Sequence, residues 1–132
     1  MAQEETQLLL KDLCAGLPYG VMIKDTYSGH YGRLVKIGNT FAYFISELNG
    51  NTLDVQFGYV KPYLRPMSSM TKEEKSEWYS FMEKYHGIPD DTVHIQRIND
   101  YQDWLNTHHF DHRGLIPMGL ALEATKDMYK TE

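Results

Sequence analysis

Residues 31–57, YGRLVKIGNTFAYFISELNGNTLDVQF, decide the fold. Leu53, Val55 and Phe57 alternate with Asp54 and Gln56, the two-residue period of a half-buried strand. Phe41, Tyr43 and Ile45 make a similar row, and Tyr31, Val35 and Ile37 suggest the strand before it. Gly38-Asn39 reads as a two-residue hairpin loop. Asn49-Gly50 is a stronger turn, because both residues tolerate positive φ. Val21 and Ile23 add an earlier strand, after the looser turn Tyr27–His30 is allowed for. Residues 19–59 are therefore expected to form an antiparallel meander of about four strands. Its twist can curl it into a half-barrel.

Outward from the meander, the period changes to that of helices. Leu10, Leu13, Cys14 and Leu17 recur at i, i+3, i+4 and i+7, predicting a helix over 5–17 that Gly16 and Pro18 end. Cys14 falls in this stripe and is expected as a buried thiol; as the sole cysteine it cannot form an intrachain disulfide. Pro62 and Pro66 remove backbone donors, so 60–70 is expected as an extended surface strap. Thr71-Lys72-Glu73-Glu74 is a capping box. It opens a helix with Trp78, Phe81, Met82 and Tyr85 on one face, stopped by Gly87 and Pro89. A further helix is expected from Asn99 or Asp100 to His109, with Tyr101, Trp104, Leu105 and His108 inward. Between the two helices, His86 and His94 flank an expected loop at Asp90-Asp91. Residues 114–124 read as a helical turn and a short strand or arm at Leu120–Glu123. Residues 71–124 are thus mainly helical. The tail 125–132 is polar, with Met128 and Tyr129 able to dock. The fold class is α+β in one domain, 1–132: a small twisted sheet packed by two or three helices.

Composition bounds the function. The chain is 42% hydrophobic and 23% charged, as globular domains are. No run approaches a membrane span, and Met1–Glu5 lacks a signal peptide's basic start, so a cytoplasmic location is expected. Net charge is −5, which disfavours nonspecific nucleic-acid binding. Yet Lys24, Arg33, Lys36, Lys61 and Arg65 outnumber Asp25, Glu47 and Asp54 between residues 19 and 65. Nine aromatic residues share that stretch, a mixture suited to stacking bases of single strands but equally to a sheet's own core.

Candidate sites are few. His108 and His112 would lie at i and i+4 on a continuing helix and, with Asp111, could ligate a metal. The competing reading is a helix end where histidines cap carbonyls. Asp111 and Arg113 could pair or bind an anion, or Asp111 could cap the following turn. Glycine-rich phosphate loops and nucleophile elbows are missing. The sequence calls for no cofactor and points away from an enzyme. Tyr63, Arg65, Asp111 and Arg113 are the expected partner-binding residues, and the expected partner is a protein. A single strand on the sheet and a metal-dependent enzyme at the histidines are the alternatives.

Four stretches are distinctive: Val60–Thr71, Asp103–Asp111, Arg113–Ile116 and Gly119–Ala124. Together they resemble a group of short bacterial proteins of unknown function, often found in prophages and other mobile elements. The resemblance covers most of 60–129 and Leu13–Val21. It implies an accessory role with a host or element component, and no activity. Relatives commonly carry Tyr where His112 stands.

Overall fold

A computed structural model describes residues 2–83 and 90–129, with side chains described outside 90–97. The chain runs α1 (Gln3–Gly16), β1 (Met22–Asp25), β2 (Tyr31–Ile37), β3 (Phe41–Ser46), β4 (Thr52–Gln56) and β5 (Val60–Leu64). Helices α2 (Lys72–Glu83) and α3 (Asp90–Thr107) and the short β6 (Leu122–Glu123) follow. The sheet is open and mixed, with order β4-β3-β2-β1-β5-β6. Strands β1 to β4 form the expected antiparallel meander. β5 adds to it antiparallel to β1, and β6 adds parallel to β5. The sheet therefore has six strands rather than about four. Among the described residues no helix is long and apolar enough to cross a membrane.

One layer covers one face. Leu9 and Leu13 of α1, with Leu115, Leu120 and Ala121, pack on Ile23, Leu34, Phe44, Val55, Val60 and Leu64. The covered face of β3 is Ala42, Phe44 and Ser46, not the expected row Phe41, Tyr43 and Ile45. β2 is likewise reversed: Gly32 and Leu34 are buried, while Tyr31 and Val35 are exposed. Both rows of β3 are apolar, so period two alone does not choose between them. The covered row of β3 holds the large Phe44 between the small Ala42 and Ser46, and β2 can approach β3 there because a Cβ on Gly32 would overlap the carbonyl oxygen of Ile45. A bulge between Leu34 and Lys36 completes the pairing of β2 with β3.

The expected surface strap is instead strand β5, and its Val60, Pro62 and Leu64 are buried. The Thr26 N–H donates to the Tyr59 carbonyl, which sets the alternation of the β1–β5 ladder. By that alternation the donor Pro62 lacks faces away from β1. β6 begins pairing only at Tyr63, so no ladder bond is lost there.

Helix α1 turns a different stripe inward. Leu9, Asp12, Leu13 and Gly16 are buried and Cys14 is exposed, correcting the expected buried thiol. The capping box of α2 forms as expected. Thr71 N–H donates to Glu74 Oε1 at 2.9 Å, and Glu74 N–H donates to Thr71 Oγ1 at 3.1 Å. Helix α2 buries no residue fully, and Met82 faces solvent. Trp78 joins it to α3 through Tyr101 and Trp104, with ring centres 5.3 and 5.1 Å away. The expected stop at Gly87 and Pro89, and Tyr85 and His86, lie outside the described residues. Helix α3 begins at Asp90, so Asp90-Asp91 and His94 are helical rather than in a loop. Thr92, Val93, Ile95 and Ile98 are weak helix formers, which hid its first turns.

Candidate functional site

Two clusters carry the chemistry of this chain. The first is a polar seam beneath the end of α3. The helix stops at Thr107 in a Schellman motif: His109 N–H donates to the Asn106 carbonyl and Phe110 N–H to that of Leu105, both at 3.0 Å. His109 takes the left-handed position, with φ 61°. His108 and His112 are therefore not one helical turn apart, and the expected i, i+4 pair does not form. His108 Nδ1 donates to the Trp104 carbonyl at 2.9 Å. Among the described residues no three His, Cys, Asp or Glu side chains converge as metal ligands.

Asp111 caps the next turn, accepting from the N–H groups of Leu115 and Ile116 at 2.7 and 2.9 Å. Arg113 reaches back to Asp12, Nη1 to Oδ1 2.8 Å, with both side chains nearly covered. Burial pushes the Asp12 carboxyl above its usual range, against the pull of Arg113. His112 Nε2 lies 2.8 Å from Asn106 Oδ1 and 3.2 Å from Arg113 Nη1. Burial, then the Arg113 charge, holds the His112 ring down at about 4. His109 is held at about 4 by burial first and His108 second. Its buried Nδ1 has no partner, and its ring lies 3.7 Å from that of Tyr129. Asp12, Asn106 and His109 line a cavity of about 10 Å³, room for about one water.

Tyr129 locks the seam to the sheet. Its hydroxyl accepts from the Met22 N–H at 2.8 Å and donates to the Tyr63 carbonyl at 2.6 Å. Those are the groups that the β1–β5 ladder would next join, so the hydroxyl replaces a ladder bond. Tyr129 thus docks, as expected for the tail.

Of the expected partner residues, Arg65 turns inward. Its guanidinium grips Glu74 with bonds of 2.5 and 2.7 Å and lies 4.3 Å from the Phe110 ring centre. That grip holds the Glu74 carboxyl at about 2. Asp111 and Arg113 are engaged in the seam, and Tyr63 alone of the four lies on the open face. Sequence reading passed over Asp12, Asn106 and His109. On the expected stripe of Leu10, Leu13, Cys14 and Leu17, Asp12 faces away from the apolar side, so it gave no signal.

The second cluster is that open face. Residues directly opposite in the ladders share a face. Reading across the sheet gives the rows Asp54–Tyr43–Lys36, Thr52–Ile45–Arg33–Met22 and Tyr31–Lys24–Lys61. Phe41 lies beyond the first row, and Tyr63 meets Tyr31 edge-on at 6.5 Å. Lys36 Nζ sits 5.4 Å from the Tyr43 ring centre. The paired rows carry four cations and one carboxylate, Asp54, and Glu47, whose N–H donates to the Tyr31 carbonyl at 2.9 Å, stands at the end of the Tyr31 row. Among the described residues the ion pairs join Arg65 to Glu74 and Arg113 to Asp12, so the four cations are outside them.

No family model, no curated protein and no solved structure matches the chain.

Proposed function

We propose that this protein is a non-enzymatic interaction module that takes an anionic partner on the open face of its sheet. One observation carries the reading: a chain of net charge −5 places Lys24, Arg33, Lys36 and Lys61 on one face, against Asp54 and, at its edge, Glu47. The half-buried rings between them supply contact area at low entropic cost. Apart from His109 Nδ1, the polar groups named in the seam are engaged in internal bonds, which suits a structural lock rather than a reacting site. The accessory role that the mobile-element resemblance implies, and the cytoplasmic location expected from the sequence, are compatible with such a module.

The test is retention on immobilised heparin at about pH 7.5 and low salt, where an acidic protein binds only through clustered cations. The protein is expected to be retained and to elute with salt. The Lys24→Glu/Arg33→Glu variant is expected in the flow-through. Wild-type protein in the flow-through, or equal retention of the variant, refutes the reading.

A further inference from the structure

We propose that the anionic partner is a single-stranded nucleic acid, an inference that rests on the open face being the binding surface. The rings of Tyr31, Phe41, Tyr43 and Tyr63 stand as stacking platforms for bases. Lys24, Arg33, Lys36 and Lys61 meet the phosphates.

Three features select this ligand over other anions. First, the cations alternate with rings instead of forming a continuous patch. Tyr43 stands opposite Lys36, and Tyr31 stands opposite Lys24. A single strand presents the same alternation of flat apolar base and charged phosphate, whereas an acidic peptide offers no ring to stack. Second, the surface is a sheet face rather than a protruding basic helix or ribbon. It cannot enter a duplex groove, but it can support bases splayed from one strand. Third, the dimensions agree. From β3 to β5 is three strand spacings, roughly 14 Å. A splayed strand of a few nucleotides spans that distance.

Placement sharpens the claim. Tyr43 sits on an inner strand of the meander, and Tyr63 sits beside β1 with its carbonyl held by Tyr129. Both platforms therefore ride on the rigid sheet rather than on loops, so little ordering is needed on binding. Asp54, beside Tyr43 at the β4 edge, marks the limit of the phosphate path on that side.

The experiment is fluorescence anisotropy with labelled oligothymidylate and oligouridylate of about 12 nucleotides, starting at about 20 mM salt. Binding is expected to at least one of the two. The logarithm of affinity should fall against that of salt with a slope of roughly −2 to −3, the value for four neutralised phosphates. Tyr43→Leu and Tyr31→Leu keep an apolar side chain and are checked for wild-type melting. Each is expected to weaken binding at least about five-fold. Lys24→Gln is expected to reduce the slope by about 0.7.

Failure to bind either strand at low salt overturns the proposal, as does equal affinity for a duplex of the same length. Binding indifferent to both leucine variants, and matched by poly-glutamate, also overturns it and identifies an acidic polypeptide as the partner. In each of these cases heparin retention still reports separately on the open face.

Discussion

His109 adopts a backbone conformation that every other described residue with positive φ meets as glycine. The chain builds the same helix-ending motif twice. Around Leu115–Leu120 it uses Gly119, whose N–H donates to Ile116 while that of Leu120 donates to Leu115. After α3 the equivalent position is His109. A left-handed residue with a Cβ costs about 1–2 kcal/mol, and the Tyr129 stack and seam must offset it. His109→Gly is therefore expected to be more stable than His109→Ala by about 1 kcal/mol in urea unfolding, although both lose the ring. An alanine variant as stable as the glycine one would show that the turn does not hold its left-handed form. This residue also bears on how the sequence reads. The helix was expected to end at about His109, as it does; with no glycine there, the alternative of a continuing helix that sets His108 and His112 on one face also stayed open.

At the scale of elements, α1 is fastened to the segment after α3 by Asp12 and Arg113, and this pair was not legible. Helical period located α1 correctly, but hydrophobicity turned it by one residue, because a buried aspartate is recognised only with its partner 101 positions away. Removing one partner of a buried pair costs about 3–5 kcal/mol, whereas replacing both by apolar residues can be neutral. Arg113→Ala is expected to lose about that much, and Asp12→Leu/Arg113→Met to recover most of it. Chemical denaturation of the single and double variants checks this. β5 was hidden for a related reason. Prolines argue against strands in general, but Pro62 presents its missing donor to a stretch that β6 does not reach. By contrast, the meander strands and the Thr71–Glu74 box depend on neighbours in sequence, and these were readable.

For the whole molecule, acid is the sensitive axis. The rings of His109 and His112 are both held near 4, against 6.5 for an ordinary histidine. Between those values the unfolded chain binds protons that the folded one refuses. Their contribution is complete above about pH 6.5 and is lost as pH falls toward 4. Glu74, held at about 2, adds a loss only below about 4.5, and Asp12 acts in the opposite direction. The thermal midpoint is expected to drop between pH 6.5 and 4. The His109→Asn/His112→Gln variant should show a shallower drop, read from melts across that range. An unchanged slope would mean that the rings are solvated. The same scale separates what the open face does from what holds it. Charge totals suggested an unsuitable surface for anions, since they average over a fold that sorts cations to one side.

The hydroxyl of Tyr129 has a further consequence for how the protein is made. It seals two strands that lie 107 and 66 positions earlier in the chain. During synthesis both strands have left the ribosome long before it arrives. The nascent sheet must therefore wait unsealed, with the backbone groups of Met22 and Tyr63 open to water or to a chaperone. Contacts this distant in sequence slow folding and hold the seal back until Tyr129 has emerged. The sheet should thus be sealed only when Tyr129 arrives, with no stable fragment 1–66 preceding it.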